Sequence, residues 1–481
     1  MDTHLAFTIG RRSLVNGILI PKYYDPEIAQ SVQVAEGYFD LPTLREVLLP
    51  GDKGSRLGDW IQREFYGTGD IPYVRTSDLY GWRIRSDYKK GVSDEVYEEL
   101  ASKQDVQPFD ILMVAHGTYL VGAVAIVTES EPYLVLQDHV FRLRVNPSSG
   151  ISPYLLLAAL STGFVKRQVR ARQFSADIID KIGERHLELR IPIPKDVKIR
   201  SDIASQVERI LTGQTATRKA IKEASQSDLR MTRERAEARY GFHVLRSRLK
   251  KGILIPKYYD PAVESALSES ELNSPAPWVT IGSLVEDGLI SLESGVEVGK
   301  MAYGTGDIPF VRTTDIADWE VKHDSRQGIS EDIYLEYEHA ASLKSGDILL
   351  VRDGTYLVGS SALVGEDDLP ALICGGLYRI RVEDTDRLTP FALLAFLNLP
   401  VVRRQMRARQ FTRDVIDTLG YRILEVKIPS PLTSEAERLA ATVEDVMAKK
   451  AELKRDIWSV VKTLEPPVPA VSTGRPGWSM R

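Results

Sequence analysis

The stretch "YGTGDIPYVRTSDL" occupies residues 66–79 and returns as "YGTGDIPFVRTTDI" at residues 303–316. A second segment, "GILIPKYYDP", stands at 17–26 and again, identical in all ten positions, at 252–261. The offset between copies is 235 there and 237 from Gly67 and Gly304 onward. It then holds without a gap until "IPIP" (191–194) faces "IPSP" (428–431). Between residues 67–122 and 304–359, 26 of 56 positions are identical, which chance does not produce. The chain is therefore two tandem copies of one unit of about 240 residues, as a long internal period implies.

Bulk properties agree with two bodies rather than one. A chain of 481 residues exceeds one ordinary core. Hydrophobic content of 43% and charged content of 27% are those of a globular protein. No apolar run is long enough to span a membrane, and the N-terminus lacks the basic start and apolar stretch of a signal peptide. One cysteine, Cys374, excludes an internal disulfide and a cysteine-cluster zinc site, which fits a reducing cytoplasm. A net charge of −5 argues against coating nucleic acid by bulk charge but permits local basic strips.

Each copy repeats one order of parts. Short β-branched runs bounded by Gly, Pro and Asp predict strands: "IPYVRT", "DILMVA" and "AVAIV" first, "IPFVRT", "DILLVR" and "SALV" second. "SPYLLLAAL" and "TPFALLAFL" open helices, with Ser or Thr as cap and Pro in the first turn. A long helical pattern closes each copy. Ile203, Val207, Ile210, Gln214, Thr217, Ile221 and Ala224 keep a 4-3 rhythm; so do Leu439, Val443, Val446, Lys450, Leu453, Ile457, Val460 and Leu464. Gln214 and Lys450 place a polar residue at the fourth position of each seam, where it can set register. The matched rhythm favours pairing of the two seams as a rod of ~45 Å; separate packing of each helix on its own domain is the alternative.

This arrangement resembles the specificity (S) subunit of type I restriction–modification systems. The resemblance covers about residues 5–465 and rests on "KYYDP", "GDIPFVRTTDI", "GDILLVRDGTYLVG" (346–359) and "IPIP" leading into the heptad helix. It implies an α+β fold: two tandem pseudo-symmetric globular target-recognition domains (1–195 and 241–432), each followed by a spacer helix (196–240 and 433–465). The helices would pair as an antiparallel coiled coil, ahead of a flexible tail (466–481). It also implies a chain that is not itself an enzyme and has no cofactor of its own. The implied partners are double-stranded DNA and adenine methyltransferase subunits, which would use S-adenosylmethionine and in turn recruit a translocating nuclease. Other readings stay open: a DNA-recognition or scaffold component of another phage-defence complex, or a hidden nuclease.

The residues offer little for catalysis. There is no Asn/Asp-Pro-Pro-aromatic segment for a flipped base. "GVEVGKM" (295–301) has three residues between its glycines where a phosphate loop needs four, and Met where it needs a hydroxyl. The seven histidines never fall in His-x-x-x-His spacing. Asp110 and Asp347, in "DIL", read as turn residues leading into a strand.

The repeat separates two kinds of DNA contact. Phosphate contacts position a protein and are sequence-blind; base contacts specify. Basic residues kept in both copies are therefore clamp candidates: Lys166, Arg167, Arg170 and Arg172, matching Arg403, Arg404, Arg407 and Arg409. The alternative is a solvated helix face paired with the acids of "SADIID" and "TRDVID". Polar residues that differ inside matched segments are readout candidates. Ala115–His116 becomes Arg352–Asp353, and Gln137–Asp138–His139 becomes Cys374–Gly375–Gly376. Arg forks onto guanine, Asp accepts from cytosine and Gln pairs with adenine. Thr118–Tyr119 and Thr355–Tyr356 are shared, so they set the loop or touch the backbone. Arg75 and Arg312 are expected to pair internally with Asp78 and Asp315.

Overall fold

The apolar runs build the same sheet in each copy. The structure, a computed structural model, describes residues 9–10, 14–15, 18–85, 91–117, 120–131, 133–176, 179–226, 241–250, 252–322, 328–354, 357–413 and 416–467. "DILMVA" supplies the strand Ile111–Val114 and "AVAIV" the strand Val124–Ile126. With Ser55–Leu57 and Val140–Leu143 they form a four-stranded antiparallel sheet in the order Ser55–Leu57, Val140–Leu143, Ile111–Val114, Val124–Ile126. In the second copy Ile290–Ser294, Leu377–Val382, Ile348–Val351 and Ser361–Leu363 follow the same order and direction.

Why "ILMV" and "ILLV" are apolar at every position is now plain. Both faces of the sheet are covered, so alternation gives way to a continuous apolar run. Ile111 and Met113 join the core with the helices Pro153–Leu160 and Gly163–Arg172. Leu112 and Val114 face a second, smaller cluster with Val74, Leu79, Ile84 and Ala125. Ile348 and Leu350 against Leu349 and Val351 divide in the same way.

The stretch that recurs at 66–79 and 303–316 frames that smaller cluster. Ile71–Val74 pairs antiparallel with Gly91–Val92 and parallel with Val135–Leu136. Phe310–Val311 pairs parallel with Leu372–Ile373, and Ile308 bridges Ile329 antiparallel. Each strand ends in one helical turn, capped when Asp78 Oδ2 accepts from Arg75 N and Asp315 Oδ2 from Arg312 N, both at 2.8 Å. The Arg312 side chain lies 3.6 Å from Asp315, the internal pair expected from the motif. Glycine is required in the turn by close approach: a Cβ on Gly306 would lie 2.5 Å from the Ile329 carbonyl oxygen. Backbone must then move, so Gly306→Ala is expected to cost about 1–3 kcal/mol, as overpacking does. Chemical denaturation checks this; an unchanged midpoint would show that the turn tolerates a side chain.

The two closing helices span Val197–Gln226 and Ser434–Thr463. The chain divides into two compact units, Met1–Gln214 with Glu452–Arg481, and Thr215–Ala451. The division thus falls inside both helices. Within the first unit, Ile203, Val207, Ile210 and Leu211 share a core with Leu453, Val460 and Leu464. Within the second, Ile221 packs in one core with Leu439, Val443 and Met447. The heptad positions are thus the inward ones. The two polar positions do something the pattern does not announce: each ties its helix to the globular part of its own unit. Gln214 Nε2 donates to the Gly81 carbonyl at 2.9 Å, and Lys450 Nζ, 3% exposed as a residue, sits 2.6 Å from Glu320 Oε2. Among the described residues no helix is long and apolar enough to cross a membrane.

Candidate nucleic-acid interface

The two segments that differ between copies meet in space. In the first unit Ala115 N donates to the His139 carbonyl at 2.8 Å, and the rings of His116 and His139 stand edge to face with centroids 4.8 Å apart. In the second, Arg352 N and Asp353 N both donate to the Gly376 carbonyl, at 2.9 and 3.1 Å. The readout candidates are therefore one cluster per unit, at the end of the central strand of the sheet.

The chemistry of the two clusters differs. His116 is half-buried, and its Nδ1 has no hydrogen-bond partner among the described residues. Burial, with His139 and Lys181 adding repulsion, pushes its pKa down to about 4, so the ring is neutral near pH 7. His139 Nδ1 lies 3.7 Å from Asp138 Oδ1. In the second unit Arg352 folds onto its neighbour, with Nη2 2.6 Å and Nε 3.0 Å from Asp353 Oδ2. Its guanidinium stands 5.6 Å from the centroid of the Tyr378 ring, whose hydroxyl burial pushes up to about 12. The equivalent Phe141 instead stacks on His186, with centroids 4.1 Å apart. A Cβ on Gly376 would lie 2.8 Å from Thr313 Cγ2, so a side chain there requires Thr313 to shift.

The basic strips lie on the helices Gly163–Arg172 and Pro400–Arg409, and each splits into inward and outward members. Outward are Lys166 and Arg170 in the first unit and Arg404 and Arg407 in the second, all exposed. Arg167 pairs with Glu465 at 3.3 Å, and Arg403 donates to the Gly359 carbonyl at 2.7 Å. Arg172 pairs with Glu188 at 3.4 Å and stands 5.6 Å from the centroid of Tyr23; Arg409 repeats this with Glu425 at 3.5 Å and Tyr258 at 5.7 Å. Tyr23 Oη donates to Glu188 at 2.7 Å, and Tyr258 Oη to Glu425. The "KYYDP" segment is thereby explained: its first tyrosine locks the end of the basic helix. Half of each strip is scaffold, because the inward side of a helix so placed has carboxylates and carbonyls to satisfy.

A hairpin follows each basic helix and reaches the readout cluster. Phe174–Ala176 pairs with Ile179–Lys181, and Phe411–Arg413 with Ile416–Thr418. Its base is the same in both units. Gln173 Nε2 donates to Asp180 Oδ2, and Gln410 Nε2 to Asp417 Oδ2, both at 3.0 Å. The second aspartates of "SADIID" and "TRDVID" thus accept from a glutamine, and the first, Asp177 and Asp414, lie outside the described residues. Arg185 lies over the Phe174 ring at 4.1 Å and Arg422 over Phe411 at 4.0 Å. Isolated bridges then join His116 to Lys181 and Asp353 to Thr418. Lys181 and Thr418 were absent from the sequence-derived candidates, although a polar difference inside a matched segment was the signal that could have found them.

Other expected sites have simpler places. Thr118, Tyr119, Thr355 and Tyr356 lie outside the described residues. Asp110 is buried and takes Arg144 at 2.8 Å; Asp347 is buried and takes Arg381 at 2.7 Å. Both also accept from the backbone three residues earlier, Gln107 N and Lys344 N. They are structural carboxylates with their valences filled. Among the described residues no group of three or more His, Cys, Asp or Glu could hold a metal ion.

No family model matches the chain, and no curated protein matches it. The chain is similar to solved specificity subunits. One is the type I restriction–modification S subunit from M. genitalium: 13% identity, 89% of this chain and 96% of that chain covered, TM-score 0.33. A second is the HsdS subunit from Thermoanaerobacter tengcongensis: 17% identity, 88% and 95% covered, TM-score 0.27. A third comes from a study of complex assembly and conformational transition of the type I system: 16% identity, 89% and 94% covered, TM-score 0.26.

Proposed function

We propose that this chain is a non-catalytic DNA-specificity subunit. Two tandem target-recognition domains each read one half of a split target. The two long helices pair as an antiparallel coiled coil that sets the gap between the halves. Methyltransferase subunits dock on this framework and modify adenines in the target, and a translocating restriction nuclease joins through them. The chain works in the cytoplasm and carries no cofactor.

One observation carries the reading: the same frame is built twice, and what differs is gathered at one place in each unit. Shared parts of the frame include the glutamine–aspartate and arginine–phenylalanine contacts of the hairpin. The differing residues, His116, Asp138 and His139 against Arg352 and Asp353 among them, lie at the ends of strands and meet the hairpin that follows the basic helix. That is how a surface is organised when phosphate contacts position it and side chains specify bases. The pairing of the helices is supported by the burial of their heptad positions.

The reading is tested by sequencing modified bases in a host that carries the chain and its methyltransferase. A split motif with a fixed gap is expected; modification without sequence preference would overturn the proposal. The cluster can then be exchanged. Arg352 and Asp353 rest on the Gly376 carbonyl, so Ala115–His116→Arg-Asp should be made together with Gln137–Asp138–His139→Cys-Gly-Gly. The expected result is a new preference in one half of the motif, by about 1–3 kcal/mol per altered base. The other half should stay as it was, which a motif readout shows directly.

A further inference from the structure

The hairpin after each basic helix meets the differing cluster at the end of its second strand. Its frame is held the same way in both units by Gln173–Asp180 and Gln410–Asp417, and by Arg185 and Arg422 over their phenylalanines. Arg185 Nε donates to the Arg172 carbonyl at 2.8 Å, and Arg422 Nε to the Arg409 carbonyl at 2.7 Å, so the hairpin is fixed to the end of the basic helix. The second strand of the hairpin ends at Lys181 in one unit and at Thr418 in the other. Each of these residues bridges the differing residue of the strand end, His116 or Asp353. Gly117 N donates to the Asp180 carbonyl and Gly354 N to the Asp417 carbonyl, at 3.0 and 2.8 Å, which fixes the register.

Resting on the function proposed above, we propose that Lys181 and Thr418 occupy one equivalent base-reading position. Lys181 donates to the acceptor edge of a guanine in one half-site, and Thr418 leaves that edge unselected in the other. Two observations separate this from a phosphate contact. The basic positions on the helix keep a positive charge in both copies, Lys166 and Arg403, Arg167 and Arg404, Arg170 and Arg407, and the last pair is exposed in both. Position 181/418 does not, as expected of a residue that distinguishes the halves. Secondly, Lys181 is exposed at the same spot where His116, Asp138 and His139 replace the Arg352–Asp353 pair and the two glycines. Lysine pairs with the O6 and N7 acceptors of guanine in the major groove, whereas threonine bonds to donor or acceptor edges alike.

The test is selection of randomised duplex DNA by the full chain, isolated with the proteins that co-purify with it. The wild type, Lys181→Thr and Thr418→Lys are compared. The expected result is loss of a guanine preference, roughly five- to hundredfold, at one position of one half-site in Lys181→Thr. Thr418→Lys should gain a guanine preference in the other half-site. Lys181→Thr that weakens all sequences alike, with selection unchanged, would show a phosphate contact and overturn the inference while leaving the specificity function standing. A wild type that selects no sequence would overturn both. Because Lys181→Thr installs the residue that the second unit already carries at this place, the frame has a precedent for it, and the reciprocal variant controls for local damage.

Discussion

Replacing Asp347 by alanine is expected to destabilise the protein by about 3–5 kcal/mol, more than the same change at Asp110. Both carboxylates are about 1% exposed and both receive two hydrogen bonds from an arginine on the neighbouring strand. Breaking such a pair leaves a half-buried cation without its counter-charge and one backbone N–H without its acceptor. The units differ in what remains. Arg144 keeps a second partner, Asp105, at 2.7 Å. At the equivalent place the second unit has Ser342, whose carbonyl lies 3.4 Å from Arg381 Nη2. Loss of Asp110 is therefore cushioned, and about 2–3 kcal/mol is expected there. Chemical denaturation of the two variants gives the comparison. Equal losses would show that Asp105 contributes nothing. If either carboxylate were catalytic, stability would be the smaller effect.

Neutralising Lys166, Arg170, Arg404 and Arg407 together, each to glutamine, is expected to weaken DNA binding without changing which sequence is chosen. Each phosphate contact contributes about 0.9 to the slope of log affinity against log salt, so the slope should fall by about 3–4. These four are the exposed members of the strips. Arg172→Gln and Arg409→Gln should behave otherwise. They break the contacts to Glu188 and Tyr23, or Glu425 and Tyr258, and so loosen the base of the hairpin. Titrations at several salt concentrations separate the two classes. An unchanged slope in the fourfold variant would mean that the strips are solvated surface.

Much of the frame was legible because it repeats. The strands "ILMV" and "ILLV", the Asp-capped turns and the heptad helices each have a local cause: apolar runs, a carboxylate three residues from the N–H it caps, and a 4-3 rhythm. The partners of single side chains were not legible. Gln214 and Lys450 look like register residues of a seam, yet each reaches a tight hairpin of its own unit, at its turn (Gly81) or just past its turn (Glu320). Nothing within seven residues of either position announces that turn. The basic strip also reads as one surface, although Arg167, Arg172, Arg403 and Arg409 are held inward by Glu465, Glu188, Gly359 and Glu425.

By itself the sequence determined that the chain is one unit built twice, where its strands and long helices run, and which positions differ between copies. Those properties are encoded locally, by period, by cap and by internal comparison. Only the tertiary structure decided that the differing positions form one cluster, that Lys181 and Thr418 belong to it, and which cations face outward. Residues 116, 139 and 181 are brought together by strand pairing and by a hairpin anchored through Gln173 and Arg185. Long-range hydrogen bonding and burial create that proximity, and no sequence spacing records it.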